Sequence, residues 1–428
     1  VTLFLYRGGS SHGEKHFQGR AMMERRFLRV GWMFDGKGGP AQRGRLLSLE
    51  GGRIAAIEED RAEARSDREP VVDLSRCTIL PPLVDGHVHL FMSATCERER
   101  RVAQLSADYG QLLPAMTCHA ESFLAHGVLA ARDGGDQGGY ALAFRTSAAM
   151  PPPLSLKVVG RGWHREGRYG RIIGRTPRAG ETLAAAVAGE EQAVDQVKIV
   201  NSGFNSLKVF AQETKSQFDV EELFAAVRAA ANCGRKVMVH ANGREPVRNA
   251  LLAGCHSIEH GFFMGRENLE LMAGSATIWV PTACTMRAFL DNFGALGGEA
   301  QRSVIEATLH EQLEQLALAR RLGVRVAIGT DAGSLGVHHG RSVAEEMRLF
   351  IEAGFSAGEA VAAATSVGAR LLGLPGSGTL EKGGPATFLV VEGDASDLPR
   401  RLPQLHALYI DGRAVSLPPS ISPATPAT

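Results

Sequence analysis

Between residues 80 and 376, short apolar runs alternate with helical stretches, and this pattern constrains the fold more than any other feature of the chain. The runs are VLAARDGG, LKVVG, QVKIV, KVMVHA, HSIEHG, TIWVPT and RVAIGTDAG. Strand–helix alternation sustained over such a length is the pattern of a parallel β/α architecture. A closed (β/α)8 barrel needs about 250 residues, so the segment is long enough with loops to spare. A doubly wound sheet would place a Gly-rich phosphate turn after its first strand. LPPLVDGHVHL is nothing of that kind. The expected fold class is therefore α/β, a TIM-like (β/α)8 barrel over residues 80–376. Its clearest helix runs from Asp219 to Cys233: Asp219 caps it, Leu223, Phe224, Val227 and Ala231 are expected to share a face, and Gly234 ends it.

The two ends read differently. From Arg26 to Ile79 the pattern is short β segments separated by turns such as Asp35-Gly36 and Gly51-Gly52. It returns in TFLVVEG and LHALYIDGRAV. Neither half has enough strands to enclose a core alone, so one small β-sandwich is expected from residues 22–79 plus 377–417. Residues 1–21 lack the order of charge, apolar stretch and cleavage site that a secretory signal has. They read as a disordered extension before Met22 and Met23, and the Pro/Ser/Thr-rich residues 418–428 as a flexible tail.

Composition excludes several function classes. Lys plus Arg number 47 against 46 Asp plus Glu, so the basic excess of a nucleic-acid binder is missing. No stretch approaches the roughly 20 apolar residues of a membrane span. Six cysteines without a CxxC pair read as reduced thiols, and the expected compartment is the cytoplasm. Homo-oligomerisation is left open.

The chemistry-bearing residues sit at the ends of the apolar runs. His87 and His89 flank Val88, a spacing that puts both side chains on one side of a strand. Taken alone, such a pair is more often one core histidine and one solvent-facing one. His240 ends KVMVH, His260 ends HSIEH and Asp331 ends RVAIGTD, each followed by a loop signal. In a barrel all strands point one way, so these residues meet at one mouth, where the active sites of that architecture lie. Imidazoles with a carboxylate suit zinc and its borderline neighbours rather than calcium or magnesium. Lys198 lies inside QVKIV and Lys208 inside SLKVF, two apolar settings in which an ammonium is costly to bury.

The order HVH, middle-strand lysine, H, H, D resembles the amidohydrolase superfamily of metal-dependent hydrolases. LPPLVDGHVH, QVKIVNSG, KVMVHANG, SIEHGFFM and AIGTDAGS carry the likeness. The β segments of both ends resemble that superfamily's composite sandwich, so the likeness spans residues 24–415. Pro82 stands where the family commonly has Gly. The lysine-bearing, prolidase-like branch implies two divalent metal ions, zinc by preference, bridged by a carbamate on the lysine. Lys198 is the expected bridge, because IK closely followed by SG matches that branch, and Lys208 is the alternative. By the same likeness His87, His89 and Asp331 hold one ion, His240 and His260 the other, and Asp331 carries the proton.

The implied reaction is hydrolysis of an amide or peptide-like C–N bond in a small molecule, of the dipeptide or N-acyl amino acid class. Among the loop residues, His164, Tyr169, Asn242 and His339 are the candidate substrate contacts. The Arg-rich, Gly-rich segment GRGWHREGRYGRIIGRTPR could clamp a substrate carboxylate. Some prolidase-like relatives have tyrosine where this chain has Asn242, which weakens any transfer of dipeptide specificity. The first alternative is a mononuclear zinc deaminase of a purine- or pyrimidine-like ring. Such enzymes generally carry a glutamate three residues past the middle histidine, and Gly243 stands there instead. The second is a non-catalytic scaffold of the same fold, which would tend to have lost ligands that this chain keeps.

Overall fold

The computed structural model describes residues 25–61 and 71–417. The expectations for residues 1–21 and 418–428 fall outside those described residues.

Both ends of the described chain meet in one seven-stranded sheet. Its order is Arg413–Val415, Leu405–Ile410, Phe388–Glu392, Val71–Leu80, Arg26–Met33, Gln42–Glu50 and Arg53–Glu59. In Arg26–Met33 the inward residues are Leu28 and Val30, then Met33. The change of parity comes from a register shift between Val30 and Trp32. Gly31 permits it, because a Cβ there would lie 2.2 Å from the Ser75 carbonyl oxygen. The sheet curls until Arg53 bridges Pro385, and it encloses a core that includes Leu47, Ile54, Ile79 and Phe388.

The middle of the chain forms two parallel sheets wrapped by helices. One has the order Ile278–Val280, Ser257–His260, Lys236–Ala241, Gln196–Val200, Gly162–Trp163 and Gly174–Arg175; the other is Leu83–Val88, Val128–Asp133 and Ser155–Val158. RVAIGTDAG, expected as a strand, does not extend either ladder. Val326 makes an isolated parallel bridge to Trp279, and Ala332 makes one to Val88. Hydrogen bonds from Trp279 N to Arg325 O and from Gly86 N to Ile328 O, both 2.9 Å, tie the segment to the two sheets. The left-handed backbone of Asp331, φ 60°, is incompatible with a regular strand.

One helical expectation needs correction. Val220–Asn232 is capped by Asp219 in a full capping box with Glu222, but its buried residues are Leu223, Ala226 and Ala230. Phe224 is half exposed. Its size suggested an inward position; of the other residues expected on that face, Val227 is half-buried against the core and Ala231 is exposed. The charge-mixed helix Arg302–Leu322 buries one full face. On that face Gln312 and Gln315 donate to the carbonyls of His260 and Gly261. Among the described residues no helix is long and apolar enough to cross a membrane.

Candidate metal centre

Parallel pairing carries several of the candidate ligands to one place. His240 lies opposite Glu259, and Ala241 opposite His260. His87 ends up beside Asp331 because the Asp331 N–H donates to the His87 carbonyl at 2.7 Å. Asp85 reinforces the junction: its carboxylate accepts from Thr330 N at 3.0 Å and from Thr330 Oγ1 at 2.6 Å.

The ligand atoms of His87, His89 and Asp331 lie within 4.8 Å of one another. Asp331 Oδ1 is 3.6 Å from His87 Nε2 and 3.4 Å from His89 Nε2. The ring centroids of His87 and His260 are 4.9 Å apart, and those of His240 and His260 are 4.6 Å apart. Lys198 enters from Gln196–Val200, a strand whose five residues are all buried. His87 Nε2 and Lys198 Nζ are buried and have no hydrogen-bond partner among the described residues.

Each imidazole is oriented by its other nitrogen. His87 Nδ1 lies 2.7 Å from Glu259 Oε2, His89 Nδ1 lies 2.8 Å from the Gly135 carbonyl, and His260 Nδ1 lies 2.8 Å from Thr282 Oγ1. In all three the Nε2 is left to face the cluster. His240 is turned the other way, with Nε2 3.2 Å from the Gly203 carbonyl. Such partners fix ring orientation and tautomer. His260 and Asp331 both have left-handed backbones, φ 67° and 60°. Strain of this kind concentrates at functional sites.

Burial dominates the electrostatics. It lowers His87 and His260 well below the ordinary histidine value and brings His240 to about 3. These imidazoles are therefore neutral and have lone pairs to offer. Lys198 falls to about 8, again chiefly through burial. Asp331 is raised by burial, opposed by His89 and by Ser334, whose hydroxyl donates to Oδ2 at 2.9 Å.

Above the cluster opens a cavity of about 340 Å³ lined in part by His89, Lys198, His240, His260 and Asp331. Of the four proposed substrate contacts, Tyr169 and Asn242 line it, whereas His164 and His339 do not. His164 is buried with Nδ1 3.0 Å from the Arg165 carbonyl. His339 stacks on His119 at 4.1 Å and sets Nε2 3.3 Å from the His89 carbonyl, so it supports the site from behind. Lys208 is on an exposed turn, because SLKVF forms no strand. Two arginines of the basic loop are committed elsewhere: Arg165 pairs with Glu222 through one nitrogen 2.7 Å from each oxygen, and Arg175 pairs with Glu190 while lying over Trp163.

Glu259, Arg132 and Arg101 were missed. Arg132 is 1% exposed, Glu259 is wholly buried, and they pair at 2.8 Å. A charged residue inside each of the runs SIEH and VLAARDGG was the available signal.

A family model described as the amidohydrolase family matches residues 78–415. The ochratoxinase of Aspergillus niger is 30% identical over 180 residues, 41% of this chain and 36% of that protein, so the match spans about a third of that relative's length. An imidazolonepropionase of Anaeromyxobacter sp. (strain K) is 25% identical over 431 residues, 90% of this chain and 94% of its own. Among solved structures, a Xaa-Pro dipeptidase with methionine bound in its active site is similar at a TM-score of 0.77 and 26% identity, over 92% of this chain and 100% of that one.

Proposed function

Since the chain belongs to the amidohydrolase family, we propose that it is a metal-dependent hydrolase of amide or peptide-like C–N bonds, acting on N-acyl amino acids or dipeptides. The observation that carries this reading is the pair of buried, unpartnered atoms, His87 Nε2 and Lys198 Nζ, on a cluster completed by His89, His240, His260 and Asp331. Buried polar atoms normally find partners. A cation beside the histidines and an anionic modification of the lysine would supply them.

The donor set fits divalent metal. His87, His89 and Asp331 would hold one ion and His240 and His260 a second, with Lys198 between them as a carbamate. Neutral imidazoles with a carboxylate favour zinc. A lysine brought to about 8 has an appreciable fraction of the free amine that reacts with carbon dioxide. The two parallel sheets and segment 324–332 are read as a (β/α)8 barrel at residues 80–376. The seven-stranded sheet is read as the small domain of residues 22–79 plus 377–417. The six free cysteines support a reducing compartment such as the cytoplasm.

Divalent metal supplies Lewis acidity, polarising a carbonyl and lowering the pKa of water. Asp331, held through Oδ2 by Ser334, keeps Oδ1 toward the cluster, where it accepts the proton of the attacking water. As the C–O bond forms and the C–N bond breaks, Asp331 returns that proton to the departing nitrogen. The deaminase alternative is not favoured: Gly243 stands where its glutamate would, and Glu245 is exposed.

Metal content per chain, on protein prepared without chelator and with bicarbonate present, tests the reading together with amine release from N-acyl amino acids and dipeptides. About two zinc ions and amine release are expected. No bound metal after reconstitution, or no amine from any member of the panel, overturns it.

A further inference from the structure

The cavity above the cluster is chemically lopsided. Among the described residues that line it, Asp331 is the one carboxylate and Arg101 the one guanidinium. Apolar side chains form much of the remaining wall. Ile172 and Phe204 are 43% and 49% exposed, and both stand among the lining residues. Large apolar groups left in water at the rim of a cavity mark a surface made for a ligand.

Arg101 is held in place by backbone carbonyls, and Asp331, the carboxylate that acts on it, is not within ion-pair distance. It lies on the helix Arg98–Ser106, and its Nη1 donates to the carbonyls of Ser93 at 3.0 Å and Gly333 at 3.1 Å. No carboxylate among the described residues pairs with it within 4.0 Å, and none of the described hydrogen bonds uses its Nε or Nη2. Arg132, Arg165 and Arg175 are different. Arg132 is balanced by Glu259, Arg165 by Glu222 and Arg175 by Glu190. A guanidinium fixed through one nitrogen, with its other nitrogens not engaged, is preorganised for a planar anion. Gly333, which anchors it, is two residues from Asp331, and all three line the same cavity.

We infer that Arg101 anchors a carboxylate of the substrate's leaving half, and that the substrates are N-acyl amino acids carrying a large apolar side chain. This rests on the hydrolase reading above. In the balanced reaction water adds to the acyl carbon, the C–N bond breaks, and the products are a carboxylic acid and a free amino acid. Arg101 holds the amino acid's carboxylate before and after cleavage. Ile172, Phe204 and Leu207 receive its side chain.

The test compares N-acetyl-L-phenylalanine with N-acetyl-2-phenylethylamine, which keeps the scissile amide and the ring but lacks the carboxylate. Metal-loaded full chain is assayed as wild type, Arg101→Gln and Arg101→Lys, and binding of L-phenylalanine is measured by calorimetry. The wild type is expected to prefer the carboxylate substrate by at least about tenfold in kcat/KM, mainly through KM. Arg101→Gln collapses that preference and weakens L-phenylalanine binding by about tenfold, and Arg101→Lys restores part of both. Equal loss on both substrates would mean that Arg101 only braces its loop, and this overturns the inference. A wild type without preference overturns it too, while amide cleavage leaves the hydrolase reading standing. L-phenylalanine bound through Arg101 without cleavage of any amide supports the anchor and overturns the hydrolase reading instead.

Discussion

His87 Nδ1 and Glu259 Oε2 lie 2.7 Å apart in a pair that is wholly buried. The carboxylate also meets Arg132 at 2.8 Å, and the Arg132 Nε donates to the Gly86 carbonyl at 2.7 Å. A charge-balanced chain thus runs beneath the cluster and aims His87 Nε2 into it.

Glu259→Gln should therefore act on the metal as well as on the fold. It leaves Arg132 buried without its countercharge, at a cost of about 3–5 kcal/mol in urea unfolding. Zinc affinity should fall about 10–100-fold, read by competition with a chromophoric chelator under native conditions. A variant with unchanged affinity would separate the network from the metal site.

Gly134 faces the same rings. A Cβ there would lie 2.9 Å from His87 Nε2 and 2.9 Å from His89 Cε1. Gly134→Ala is expected to lower bound metal per chain while circular dichroism stays that of the wild type.

Asp331 is the proposed proton carrier. Asp331→Asn keeps the side chain's shape but loses its basicity, and kcat should drop by about 10²–10⁴. Metal content is to be measured alongside, so that a loss of ligand is told apart from a loss of base.

Lys198 gives a pH signature in metal-free, carbon dioxide-free protein. Its folded value of about 8 lies below the ordinary 10.5, so between those values the unfolded chain binds more protons. Its contribution to stability should rise with pH across that window and be absent below it. Denaturation midpoints at several pH values, taken as the difference between wild type and Lys198→Met, isolate the effect.

Much of this was legible in the sequence because the signals are local. A histidine or aspartate closing an apolar run is visible without knowing its neighbours, and so was the alternation of runs with helices. The cap at Asp219 was equally local. The face of that helix was not, since Phe224 and Ala226 are sorted by the space their neighbours leave. Lys198 and Lys208 both lie among apolar residues, and only the fold distinguishes a strand interior from a surface turn.

Pairings over long separations belong to the tertiary structure alone. Arg132 and Glu259 are 127 residues apart on strands of two different sheets, and their side chains meet between those sheets in a way that no local pattern encodes. The loop arginines looked like an anion clamp, yet carboxylates on neighbouring elements neutralise Arg165 and Arg175. Arg101, in an unremarkable run of charges, is the guanidinium that lines the cavity with no carboxylate among the described residues within ion-pair distance. The sequence by itself determined which residue types close the apolar runs, because side-chain periodicity along a strand is a covalent property of the chain. Which charges face one another, and which remain for a ligand, was decided by packing, because burying a charge is tolerable only where the fold supplies its partner.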